Sequence, residues 1–237
     1  MKTTLRSFKP TASVPQQAIV VIFDLEDFSR FCGRPDAQEY VPKFLNVVMS
    51  SVQVCFEGGE AYWTLHNNKA RHLNSLPPII HFKFLGDGAL YIFNYDDFSE
   101  QQRIQLINRL WVLRTKFGKV VEKAAEDVPV LDVPQNIRFG ITAGTVYRLN
   151  YIRGNKEEYI GHCINLASRL EAYCRPLGIT ISGRLKVDVL ALRQNLYMKV
   201  IAKNIKGLLP EIVIVDRIDF ENLDSDIKSD LFEVFNH

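Results

Sequence analysis

Residues Ile79 to Phe93 read directly as a strand, a tight turn and a second strand, which commits the chain to a fold built on a sheet. Ile79 to Leu85 is apolar and β-prone apart from His81 and Lys83. Gly86-Asp87-Gly88 is a hairpin turn, and Ala89 to Phe93 is a second apolar run. A buried hairpin of this kind lifts Asp87 to a sheet edge with glycine on either side. Without side-chain bulk there, a ligand as large as a nucleotide can approach the backbone. Asp-Gly is also a common turn pair, so Asp87 has a purely structural reading too.

A second constraint comes earlier. Ala18 to Phe23 is continuously apolar, the pattern of a strand covered on both faces, and it ends at Asp24. Asp24 has two readings. It can cap a following helix, or it can join carboxylates from other segments around a hard cation.

Val41 to Phe56 has apolar residues at helical spacing, with Pro42 in the first turn and Gly58-Gly59 as the stop. Glu60 to Leu76 is polar, with Trp63, Lys69, Arg71 and two histidines, and is too long for a simple loop; an inserted flap is expected. Asp97 to Glu126 reads as one long helix. Ile137 to Val146 reads as another central strand, continued by Tyr147 to Ile152 and a turn at Gly154-Asn155. Arg138 within that strand needs an anionic partner or an open edge. From Gly161 the pattern is helical, and Asn165 and Arg169, four apart, share one face. A strand at Ile179 to Ile181, a short helix over Leu185 to Leu192, β segments at Tyr197 to Ile201 and Glu211 to Val215, and a closing helix within Asp219 to Phe235 complete the reading.

Composition narrows the function. The 237 residues are 47% hydrophobic and 24% charged, which suits an ordinary globular chain. One domain over residues 18–237 behind a flexible arm of residues 1–17 is the economical division. A net charge of +2 provides no strong field for nucleic acid or a membrane surface, so neither is expected as a partner. No apolar run approaches the ~18 residues of a membrane span, and the N-terminus lacks the apolar core of a signal peptide. The expected location is cytoplasmic. Cys32, Cys55, Cys163 and Cys174 lack metal-ligand spacing and read as reduced core thiols. The histidines form no HExxH-type pair, so zinc chemistry is not expected.

Four segments in order, IVVIFDLEDFSRF, FKFLGDGALYIF, IRFGITAGTVY and EYIGHCINLASRLEAYCRPLGITISGRL, resemble the class III nucleotide cyclase catalytic domain. A fifth, NIKGLLPEIVIVDR, resembles that family's closing lysine segment, so the likeness spans roughly Ala18 to Arg217. It implies an α+β fold, a ferredoxin-like βαββαβ sandwich, with two chains paired head to tail as a homodimer. It implies two divalent cations, Mg or Mn, held by Asp24, Asp87 and the Leu25 backbone carbonyl. Asn165 would orient the ribose, Arg169 would stabilise the transition state, Lys206 would hold the terminal phosphates, and Arg138 would be a second phosphate-side arginine.

Base choice in the family rests on two positions, which fall here on Lys83 and Glu158, or on Glu157 if the loop shifts by one. Lys83 with a carboxylate offers one donor and one acceptor, which suits adenine, uracil or cytosine and disfavours guanine. Glutamate is one methylene longer than the usual aspartate, which favours a smaller pyrimidine ring. The bare domain and the 60–76 insertion resemble the stand-alone pyrimidine cyclases of bacterial Pycsar anti-phage systems. These make cyclic UMP or cyclic CMP to activate a separate effector. A soluble adenylate cyclase and a catalytically silent nucleotide-binding module are the competing readings.

Overall fold

In the computed structural model, residues 8–9, 14–66, 69–130, 132–151, 157–173, 175–193 and 196–234 are described. Cys174, the Gly154-Asn155 turn and most of the N-terminal arm lie outside them. The strands are β1 (Phe8–Lys9), β2 (Gln16–Leu25), β3 (Gly59–His66), β4 (Lys69–Leu73), β5 (Ile79–Phe84), β6 (Gly88–Asn94), β7 (Ile137–Tyr151), β8 (Glu157–Ile160), β9 (Ile179–Ser182), β10 (Tyr197–Ala202), β11 (Glu211–Asp216) and β12 (Phe232–Val234). The helices are α1 (Phe28–Cys32), α2 (Val41–Glu57), α3 (Glu100–Thr115), α4 (Phe117–Ala125), α5 (His162–Ala172), α6 (Arg217–Glu221) and α7 (Ser225–Leu231).

The main sheet runs β12-β10-β11-β9-β7-β2-β6-β5, with β1 and β8 paired to β7. Among the described residues, only the β7–β9 pairing is parallel; the others are antiparallel. This is the α+β sandwich expected above, and its sheet is mostly antiparallel.

The apolar run of β2 splits by parity, as a strand covered on both faces must. Ile19, Val21, Phe23 and Leu25 enter the large core with α2, α3 and α4. Ala18, Val20 and Ile22 face the other way, against Leu90, Ile92 and the α5 residues Cys163 and Ala167. Leu166 and Leu170 of α5 enter a third cluster with Val200, Val213 and Phe232. Helix α5 lies almost on the backbone of β7. A Cβ at Gly140 would sit 2.2 Å from Ala167 O and 2.6 Å from Glu171 N, so only glycine permits this approach.

Several expectations need correction. The organising hairpin forms, but β5 is an edge strand, with Phe82 and Phe84 about half exposed, rather than part of a buried hairpin. The long helix begins after a 3-10 turn, at a capping box built by Ser99 and Gln102, and breaks at Lys116. There Thr115 Oγ1 bonds back to Val112 O at 3.1 Å, and Gly118 weakens the next turn. Leu185 to Leu192 is not a helix; two 3-10 turns flank a short irregular segment. The tail is α6, α7 and β12 instead of one helix. Asp216 caps α6 by accepting from Ile218 and Asp219, and Phe232 returns to the sheet edge. The 60–76 insertion holds the β3–β4 hairpin.

Candidate active site

Three cross-strand rows build the site. Asp24 stands opposite both Gly88 and Arg138. One row further in, Phe23 stands opposite Ala89 and Phe139 and faces the large core. The next row, Lys83–Leu90–Ile22–Gly140, returns to the α5 face. Directly opposed residues share a face and successive rows alternate. Asp24, Arg138 and Lys83 therefore share the face that α5 covers.

Asp87 reaches the same point from the β5–β6 turn. Its carbonyl accepts from Leu25 N at 3.1 Å, which pins the turn to the end of β2. A Cβ at Gly88 would lie 1.8 Å from Phe23 O, so glycine is required for the turn to close on β2. The two carboxylates are close enough for Asp87 to act on Asp24. Asp24 is pushed above the usual carboxylate range, chiefly by burial, with the Asp87 charge adding to it and the Arg138 hydrogen bond opposing it.

The buried guanidinium of Arg138 lies between two acids. Its Nη2 donates to Asp24 Oδ2, and its Nε is 3.4 Å from Glu171 Oε1. That second contact pairs charges without hydrogen-bond alignment, for Arg138 Nε, Arg138 Nη1 and Glu171 Oε1 are buried without a hydrogen-bond partner. Three unsatisfied polar atoms at one point are costly in a finished core and mark a place fitted to a further polar group. Glu171 was missed in the sequence. The signal was an acid four residues after the buried Ala167, on the sheet-facing side of an otherwise readable helix.

Burial, then the charge of Asp24, raises Glu171 from the ordinary 4.5 to about 7. A carboxyl raised in the folded state favours folding while protonated, and that advantage is lost as pH climbs through its folded value. In EDTA, stability is therefore expected to fall between about pH 4.5 and pH 7, by at most about 3 kcal/mol. Glu171→Gln is expected to flatten that slope in urea unfolding run across this pH range. An unchanged slope would mean that Glu171 titrates normally.

Lys83 Nζ and Glu158 Oε2 are 3.0 Å apart, across the gap between edge strand β5 and the β7–β8 hairpin. His81 supports this crossing, with its ring centroid 5.1 Å from that of Tyr159. Glu157 is paired with Arg148 instead, so Glu158 is the acid beside Lys83. Asn165 and Arg169 lie together on the exposed side of α5, opposite the Glu171 side, and neither has an ion-pair or hydrogen-bond partner among the described residues. Lys206 sits exposed in the β10–β11 loop above buried Ile205. One chain thus unites Asp24 with Asp87, and Lys83 with Glu158. It does not bring Asn165, Arg169 or Lys206 into contact with the carboxylate pair.

Among the described residues no three His, Cys, Asp or Glu side chains form a ready metal cage. Two converging carboxylates with a backbone carbonyl nearby are nevertheless the donor chemistry that a hard divalent cation takes, completed by water or phosphate oxygens. The thiols do not compete: burial raises Cys55 to about 12 and Cys163 to about 11. Among the described residues no helix is long and apolar enough to cross a membrane.

No protein-family profile and no curated protein matches the chain. Solved structures do. The guanylyl cyclase Cya2 aligns at 19% identity over 86% of this chain and 92% of that one, with a TM-score of 0.58. The adenylyl cyclase CyaB from P. aeruginosa aligns at 18% identity over 90% and 96%, with a TM-score of 0.59. The catalytic core of a rhodopsin-guanylyl cyclase with converted specificity, in complex with ATPalphaS, aligns at 14% identity over 86% and 97%, with a TM-score of 0.52. By strand order, helix placement and these alignments, the fold is that of the class III adenylyl and guanylyl cyclase catalytic domains.

Proposed function

We propose that this chain is a nucleotide cyclase, converting a nucleoside triphosphate into a 3′,5′-cyclic nucleotide and pyrophosphate. The observation that carries the reading is the meeting of Asp24 and Asp87 at the rim of β2 and β6, on the sheet face that also bears Lys83. In the reaction the ribose 3′-oxygen bonds to the α-phosphorus. The bond from that phosphorus to the pyrophosphate oxygen breaks, and the 3′-hydroxyl proton passes to water. Two divalent cations, Mg or Mn, bound by Asp24, Asp87 and the Leu25 carbonyl, would supply charge stabilisation at the attacking and leaving oxygens. No side chain is assigned as general base, since an intramolecular closure gains most from positioning.

The remaining roles belong to this chain's own groups. Arg138 has a buried, unsatisfied Nη1, which supports a role in which it would take a phosphate oxygen once Asp24 is otherwise engaged. Asn165 would orient the ribose, Arg169 would stabilise the crowded α-phosphate, and Lys206 would hold the terminal phosphates. None of the three contacts its own chain's carboxylates among the described residues, so they would serve a second copy in a head-to-tail homodimer with composite sites.

Lys83 and Glu158 would read the base, and the longer glutamate arm favours a pyrimidine, UTP or CTP. Through the resemblance to stand-alone pyrimidine cyclases, the product would act on a separate effector in anti-phage defence in the cytoplasm. Incubating the full chain with ATP, GTP, CTP and UTP in Mn²⁺, then separating products, tests the reading. Cyclic UMP or cyclic CMP is expected. Cyclic AMP alone would leave a cyclase of the adenylate kind, and no cyclic product would overturn the proposal. Glu158→Gln is expected to weaken use of the preferred triphosphate by about 1–3 kcal/mol in kcat/KM. An unchanged preference among the four would remove Glu158 from the base pocket.

A further inference from the structure

The opposite layer of the molecule holds a cavity that the cyclase chemistry leaves unused. Residues of β3, β4 and α3 enclose about 350 Å³, the lower end of the size range of small-molecule sites. The β3–β4 hairpin is the polar insertion singled out in the sequence. Among the described residues, three arginines line the cavity, Arg71, Arg109 and Arg193, and no aspartate or glutamate does. None of the three has an acidic partner among the described residues.

Two of these guanidiniums are held in place. Arg109 Nη1 donates to Asn74 O at 2.7 Å and Cys55 O at 3.0 Å. Arg193 lies over the Trp111 ring, 5.4 Å from its centroid. Burial lowers the Arg109 pKa; Cys55 opposes the shift, and the nearby Arg71 charge adds to it. The lining residues Thr64 and Asn108 each leave a buried oxygen, Oγ1 and Oδ1, without a partner. The Asn108 oxygen can only accept. A fitting ligand therefore brings both an anion for the arginines and a donor for Asn108. Three cations suit a dianionic phosphate better than a single carboxylate.

We propose that this cavity binds a small hydroxylated phosphate ester of sugar-phosphate size, on the sheet face opposite the catalytic carboxylates. The inference stands apart from the cyclase reading, because it rests on different residues and is read by binding.

The test is calorimetric titration of the full chain with ribose 5-phosphate, with ribose, inorganic phosphate and gluconate as comparators. Saturable binding of ribose 5-phosphate is expected, with weaker binding of phosphate and gluconate and none of ribose. Arg71→Gln and Arg193→Gln are each expected to weaken it about tenfold or more, the effect of losing one charge-assisted hydrogen bond. Gln105→Trp, which fills the cavity, is expected to abolish it. Asp87→Ala is expected to leave it unchanged. Circular dichroism establishes that each variant is folded; Arg71 is exposed on its hairpin, so at least that variant is expected to fold. Absence of saturable binding, wild-type affinity in both arginine variants, or loss in Asp87→Ala would each overturn the proposal. Tighter gluconate than ribose 5-phosphate binding would overturn the phosphate assignment.

Discussion

Asp87→Ala is expected to abolish cyclase activity, by 10³-fold or more on the order of other lost transition-state charge contacts, while leaving a folded chain. The side chain lies in a turn and is only half buried, and its backbone contact with Leu25 N does not depend on the carboxylate. Its removal also relieves repulsion on Asp24, so urea unfolding in EDTA is expected to show equal or slightly higher stability. Asp24→Ala should be equally inactive but not equally stable. Asp24 accepts from buried Arg138, and its loss leaves that guanidinium with only the misaligned Glu171 contact. Stripping one partner from a buried ion pair typically costs about 3 kcal/mol or more; partial exposure of Asp24 discounts that figure here. Cyclase rates in Mn²⁺ together with the two unfolding curves check both statements. Two variants of equal stability would mean that Arg138 is held by Glu171 alone.

Arg169→Ala should show the complementary pattern. Arg169 is exposed on α5 and has no partner among the described residues, so stability should not move. An arginine placed against a phosphate in the transition state is worth about 10³-fold or more in other phosphoryl transfers. The loss is expected in kcat with little change in KM, the mark of a contact made mainly in the transition state. A loss confined to KM would make Arg169 a ground-state binding group. An unaltered rate would remove it from the site.

The parts of this site that were readable in sequence are those set by local pattern. The apolar run before Asp24 and the Gly86-Asp87-Gly88 turn fix where two strands end, and antiparallel pairing then brings those ends together. The Asn165/Arg169 face followed from helical spacing. The unreadable parts depend on contacts between distant segments. Arg138 needed an anion, but that Asp24 and Glu171 supply it requires knowing that α5 rides on Gly140. The 60–76 insertion announced only its polarity; its role as one wall of an arginine-lined cavity appears once α3 lies beside it. Around Leu185, helical spacing of apolar residues proved insufficient, because a left-handed Lys186 follows the first 3-10 turn and ends it. In the tail, Asp216 caps α6, the chain turns again before α7, and Phe232 then leaves the helical path to pair with Ala202.

The central claim is that acids from one copy and the Asn165/Arg169 face of another make one site. Mixing inactive Asp87→Ala chains with inactive Arg169→Ala chains, under conditions that exchange subunits, tests it most directly. Random pairing gives heterodimers in half of the population, each with one whole site of two, so about a quarter of the wild-type rate should return. A mixture as inactive as its parents, with subunit exchange verified by differently tagged chains, would contradict shared sites and confine the chemistry to a single chain.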